Sequence, residues 1–139
     1  MMQIVPVALV PFFIDKVVEL LKPAIDLSNG ECTAKSVRLR LIEGRNILIL
    51  VVDKGHISMA ITADTIQFES GKKVLALPLM GGSGLDQLSN DFMPFVQNLA
   101  KSLGCTEIYG YAARKGWLRK LKDYNWSEFR YLIKNEVTS

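Results

Sequence analysis

Apolar positions fall in two rhythms along this 139-residue chain, and the changes of rhythm mark its elements. From Val74 to Met80 nearly every position is apolar, as in a strand buried on both faces. Gly81-Gly82-Ser83-Gly84 interrupts the run. Leu85, Leu88, Phe92, Val96, Leu99 and Leu103 then recur at spacings of three and four, which lines one face of a long helix. A strand that feeds a helix through glycines offers backbone N–H groups at the positive end of a helix dipole, an arrangement suited to phosphate. The same four residues also read as an ordinary turn.

Either side of this unit the pattern predicts a layered domain. Gln3 to Leu9 reads as a first strand, with Pro6 marking an edge or a bulge. Pro11 suits a first helical turn, followed by a stripe of Phe13, Ile14, Val17, Val18, Leu21 and Ile25. Pro23 is expected to break or kink that helix, and Ser28-Asn29-Gly30 to turn the chain. Thr33 to Glu43 fits either period; Thr33 as a cap and Gly44 as a stop favour a helix.

Three strands follow in antiparallel succession. Asn46 to Val52 is apolar throughout, and Asp53-Lys54-Gly55 turns it back as a hairpin. In the return strand Ile57, Met59, Ile61 and Ala63 share a face, while Ile66 and Phe68 have the opposite parity. A bulge or bend near Asp64-Thr65 would account for the change. Pro78 inside the third strand marks a bulge or a place where neighbouring strands part. After the long helix, Glu107 to Ala112 must run parallel to the Val74 strand, because a crossover helix joins them. Arg114 to Lys122 reads as a short basic helix, with Trp117, Leu118 and Leu121 inward, and Phe129, Tyr131 and Ile133 as a last strand. The expected class is α/β (α+β), in the order β-α-α-β-β-β-α-β-α-β. A mixed, mostly antiparallel sheet carries helices on both faces of one domain, residues 1–139.

Composition narrows the function classes. Hydrophobic content of 49% and charge of 22% are globular values. No apolar run reaches the ~18–20 residues that span a membrane, so no membrane partner is expected. Two cysteines without metal-ligand spacing point to neither a disulfide framework nor zinc, and a reducing cytoplasm is the simplest setting. Between Arg114 and Lys134 seven basic residues stand against Asp123 and Glu128. That local charge of +5 suits phosphates or a solvated helix face; without a recognised binding motif it disfavours a nucleic-acid partner.

The element order, with a glycine loop after the fourth strand, resembles the GNAT (Gcn5-related N-acetyltransferase) superfamily over nearly the whole chain. In that family the fourth and fifth strands splay at a bulge, acyl-CoA threads between them, and the loop N–H groups hold its pyrophosphate. The family's Gln/Arg-x-x-Gly-x-Gly/Ala motif is half present. Gly82 and Gly84 fill glycine positions, while Gly81 or Leu79, depending on register, takes the Gln/Arg slot. The resemblance implies acetyl-CoA bound at Leu77, Leu79, Met80, Gly81, Gly82, Ser83, Gly84 and Leu85, and acetyl transfer to an amine acceptor. Asp123-Tyr124-Asn125-Trp126 resembles the end of the family's fourth helix. There Asn125-Trp126 takes the place of Gly-Phe, and the slot of the family's acidic tyrosine falls on Leu121. The RKGW…LKDYNW pattern is similar to GNAT-like proteins of phages and prophages, some of them virion components. That implies an alternative, a non-catalytic module binding a protein partner or virion.

Among side chains, His56 could act as a general base and Tyr124 as an acid, though a lone turn histidine is ordinarily solvated. Asp64 and Glu69 could accept an ammonium proton, and Tyr109 and Tyr111 could face an acceptor. Arg114 and Lys115 could neutralise a CoA phosphate. For these the plainer readings are surface carboxylates, core aromatics and solvated cations.

Overall fold

The computed structural model describes residues 1–83, 85–111, 119 and 122–138, with the backbone alone at 85–89. Five strands lie side by side in chain order: β1 (Met2–Ile4), β2 (Ile47–Asp53), β3 (His56–Gln67), β4 (Lys73–Gly82) and β5 (Glu107–Gly110). The first four pair antiparallel, and β5 joins β4 in parallel. Helices α1 (Ile14–Asp26) and α2 (Ala34–Ile42) cover one face, and α3 (Leu85–Ser102) covers the other. The mixed sheet and its two helical layers are those the sequence predicts.

Strand alternation divides the core in two. Ile49 and Val51 of β2 point into the α3 layer with Phe92, Val96 and Leu99. Leu48 and Leu50 point into the other layer, against Val17 and Leu21 of α1 and Val37 and Leu41 of α2. The continuous apolar run of β2 is thus required by burial on both sides. Helix α2 starts as its cap predicts. Thr33 Oγ1 accepts from the Ser36 N–H at 3.0 Å, and Ser36 Oγ accepts in return from the Thr33 N–H at 2.9 Å. Lys54 and Gly55 both take positive φ, +50° and +78°, the geometry of a tight hairpin turn.

Several expectations are corrected. The first strand stops at Ile4, and Val7–Phe12 forms a 3-10 helix after the extended Pro6. Helix α1 runs through Pro23 to Asp26. One missing N–H does not outweigh the burial of Leu21 and Ile25 on either side of it. Ile57 packs with the α1 layer, not with Met59 and Ile61. The cause is a bulge: Val52 pairs with Ile57 and Val51 with Met59, which leaves Ser58 as an extra residue on β3. The last strand expected over Phe129–Ile133 is absent, since residues 126–138 form no regular element. β5 is only four residues long and offers little ladder to pair with. The basic helix expected at 114–122 lies outside the described residues, save Arg119 and Lys122.

A second bulge sits between β3 and β4. Thr62 faces Leu79 and Asp64 faces Ala76, so Leu77 and Pro78 together oppose Ala63. The extra residue reverses the strand's faces: Leu77 belongs to the α3 layer and Leu79 to the α1 layer. Below the bulge, Lys72 Nζ meets Glu107 Oε2 at 2.5 Å, tying the start of β5 to β4. The hydrogen bond to Glu107 holds the Lys72 ammonium above the usual lysine range. The exposed pair therefore persists through neutral pH, and on the alkaline side it loosens as that proton is removed.

Gly81 and Gly82 close β4 under tight constraint. A Cβ on Gly81 would strike the carbonyl oxygen of Leu20, so the backbone of α1 rests directly on this residue. A Cβ on Gly82, which has φ +120°, would strike the Ser58 carbonyl and lie 2.8 Å from Met59 Cα. Gly81→Ala should therefore lower the unfolding free energy by about 3 kcal/mol in urea denaturation, through overpacking against backbone that cannot rotate away. An unchanged midpoint would show that α1 is not seated on this glycine.

Candidate functional site

The β4–β5 ladder runs from Val74 opposite Glu107 to Leu77 opposite Gly110, and there it ends. Pro78 follows on β4 and has no N–H to donate. β4 itself continues, paired with β3 from Leu79 opposite Thr62 to Gly82 opposite Met59. Beyond Leu77, then, β4 keeps β3 as its neighbour, and among the described residues a gap opens along its β5 side.

Strand geometry says which groups face that gap. Leu79 N–H donates toward β3, to Thr62 Oγ1 at 3.2 Å, and Ser83 N–H donates the same way, to Ser58 O at 2.9 Å. Backbone groups alternate between the two edges of a strand, so the N–H and C=O of Met80 point to the opposite side, toward the gap. The Met80 side chain is half-buried and packs in the α3 layer. The gap therefore has an apolar wall and an amide group that, among the described residues, faces no partner strand.

The glycine loop lies at the end of this gap, and α3 begins at Leu85. Its first turn carries N–H groups with no helical acceptor. Ser83 is exposed, and its own N–H is taken by the Ser58 carbonyl. Gly84, one of those expected to hold phosphate, lies outside the described residues, as do the side chain of Leu85 and all of Arg114, Lys115, Trp117 and Leu121.

Trp126 packs at the end of β5. Its ring lies against Gly110, where a Cβ would come within 3.1 Å of it, and its indole N–H donates to Met93 Sδ of α3 at 3.0 Å. One aromatic side chain thus ties the last residue of β5 to the helix that covers the sheet.

The predicted side chains are dispersed. His56 is exposed at the tip of the β2–β3 hairpin. Tyr124 lines a groove with Met93, Gln97, Cys105, Glu107 and Trp126, and that groove includes none of Leu77 to Gly82. His56 and Tyr124 are not brought together. Asp64 Oδ1 accepts from the Thr65 N–H at 2.8 Å, and Glu69 is exposed. Tyr109 packs between Phe68 and Phe129 at ring distances of 6.0 and 5.6 Å, while Tyr111 is exposed. Among the described residues, no group of three or more His, Cys, Asp or Glu is placed to hold a metal ion, and no helix is long and apolar enough to cross a membrane.

Two residues that matter here were missed in the sequence. Thr62 sits in the apolar run of β3, where a polar side chain must find a partner, and that demand was its signal. The seating of Trp126 on Gly110 had no local signal, since the two are 16 positions apart.

No protein-family model matches the sequence, and no curated protein matches it. Solved structures do. An aminoglycoside acetyltransferase from an uncultured soil metagenomic sample superposes with a TM-score of 0.70 at 11% identity, covering 99% of this chain and 98% of its own. A second, in complex with sisomicin, gives 0.68 at 11% identity over 100% of this chain and 95% of its own. A predicted acetyltransferase with acetyl-CoA, from Clostridium acetobutylicum, gives 0.65 at 12% identity over 98% and 96%. At such identities the likeness establishes a shared fold.

Trp126→Ala should lower stability by about 2 kcal/mol, given the ring's partial burial. The loss should appear as a lower urea midpoint. Stability within experimental error of the wild type would show that Trp126 does not anchor β5.

Proposed function

We propose that this chain, which has the GNAT fold, binds acetyl-CoA in the gap between β4 and β5 and transfers its acetyl group to an amine. The observation that carries the reading is the unpaired edge of β4 at Met80, left open where β5 departs at Leu77 and Pro78. An exposed, apolar-walled strand edge suits an extended ligand that can hydrogen-bond as a strand would. The N-terminal turn of α3 lies at the end of the same gap, where a pyrophosphate can be received. The solved neighbour with acetyl-CoA supports the same ligand.

When bound, acetyl-CoA supplies an acyl group activated as a thioester. The chain supplies the rest. The Met80 N–H would donate to the acyl carbonyl and steady negative charge on that oxygen; a preorganised donor of this kind is worth about 10²–10³ in rate. The walls built by β4, β5 and α3 hold the thioester in one orientation toward an incoming amine, which is the larger part of the acceleration. No side chain is assigned the proton transfers, because His56 stands at a hairpin tip and Tyr124 lines a groove apart from Leu77–Gly82. Aminoglycoside-like polyamines are the acceptors to screen first, following the neighbour solved with sisomicin.

A second reading, a partner-binding module without catalysis, draws on the tail. Leu132 and Ile133 are 90% and 89% exposed there, apolar surface that a protein partner would cover.

Titration calorimetry with acetyl-CoA separates the two. Saturable binding in the micromolar range is expected for the wild type. Ser83→Asp should weaken it by at least about tenfold, because a carboxylate at this exposed loop position repels the diphosphate. Absence of binding up to millimolar acetyl-CoA would exclude the transferase reading and leave the partner-binding one. Equal binding by wild type and Ser83→Asp would move the phosphates away from the loop.

A further inference from the structure

From Met1 to Ile14 no side chain is charged, and the core takes only some of these residues. Val5, Val10 and Ile14 are buried in the α1 layer. Val7, Leu9 and Phe12 of the 3-10 helix are left outside, 52%, 46% and 79% exposed. Apolar residues exposed singly are ordinary; these share one surface. Val7 rests on Gly44, where a Cβ would come within 3.0 Å of its side chain. Three residues after Phe12, Asp15 Oδ1 accepts from the Arg38 guanidinium of α2 at 2.7 Å. Between these two anchor points α2 carries Leu39 and Ile42, both exposed. The 3-10 helix and the second half of α2 thus build an apolar face beside β1, the strand at the sheet edge.

The border of this face decides what covers it. Arg38 is paired with Asp15 at 2.7 Å, and Arg45 with Glu43 at 2.9 Å. An anionic lipid surface draws on cations that are free to reach it, and these two are already held. An uncharged face with a balanced border suits a copy of itself, because a twofold axis sets like against like without charge repulsion. The area agrees. The five exposed apolar side chains offer roughly 500 Å² per copy; at the roughly 65% apolar share of homodimer interfaces, two copies would bury about 1,500 Å² in all, within the range of stable dimers. We propose that this chain forms a twofold dimer through the 3-10 helix and the outer face of α2, with Phe12 of each copy as the main anchor. The proposal is independent of the acetyl-CoA reading, since the face lies at the β1 edge and the gap lies beyond β4.

Sedimentation equilibrium on the full chain, without ligand, tests it. The wild type should dimerise with a micromolar dissociation constant. Phe12→Asp should weaken association by about 10²-fold or more, because each copy would then bury a carboxylate without a partner. Leu132→Asp, in the exposed tail, should leave the constant within about threefold of wild type. If Phe12→Asp does not fold, Leu39→Asp on the outer face of α2 replaces it, with the same loss expected. Because the contact is apolar, raising NaCl from about 0.1 to about 0.5 M should change the constant by less than about threefold.

A wild type that stays monomeric at millimolar concentration overturns the proposal, and so does a dimer that Phe12→Asp leaves intact. Dimerisation lost in Leu132→Asp would move the contact to the tail and overturn it as well. A monomer that floats with vesicles of phosphatidylcholine and phosphatidylglycerol, and no longer does so in Phe12→Asp, overturns it in favour of a lipid surface.

Discussion

Pro78 lies in the middle of a strand that has a neighbour on each side, and it has no N–H to offer either of them. A central strand ordinarily tolerates no such residue. Here the missing donor becomes the point at which two ladders stop agreeing. On the β5 side pairing ends one residue earlier, at Leu77. On the β3 side it resumes one residue later, at Leu79, with an extra residue absorbed and the two faces exchanged. The gap, the free Met80 amide and the entry of Leu79 into the α1 layer all follow from this local accommodation. A strand that paired regularly with both neighbours would have no open edge to offer a ligand.

The glycines after the bulge show how one residue type can answer to several demands. Gly81-Gly82-Ser83-Gly84 reads as a cradle for phosphate, since glycine lets a ligand approach the backbone. The two glycines seen in the fold are each filled from inside the protein: α1 presses on Gly81, and the Ser58 bulge presses on Gly82. Their first service is to let three elements converge at the end of β4. That convergence places the start of α3 at the mouth of the gap. Packing accounts for these two glycines, and the loop's glycine content alone is poor evidence for a phosphate.

Legibility followed the range of the interaction. The Thr33 cap, the Gly44 stop, the Lys54-Gly55 turn and the α3 stripe from Phe92 onward are decided by residues within a few positions of one another, and each formed as expected. Pro78 was readable as a point of strand parting because its defect is intrinsic. The Ile57 face depends on whether Ser58 is accommodated as a bulge against β2, which the β3 sequence alone does not state. Phe129, Tyr131 and Ile133 alternate as a strand should, yet a strand needs a partner, and β5 supplies only four residues.

The chemistry this geometry offers is borne by backbone more than by side chains. A donor on the main chain survives any substitution except proline, and the walls that orient a thioester need apolar residues of suitable size, without further identity. Orientation can supply about 7–11 kcal/mol of barrier lowering, against about 10²–10⁴ in rate from a general acid or base. A fold whose shape rests on its backbone can therefore change most of its sequence and keep that shape, as the superposition at 11% identity over nearly the full chain illustrates. It also places the burden of that shape on the few residues that constrain the backbone itself: Pro78, Gly81 and Gly82.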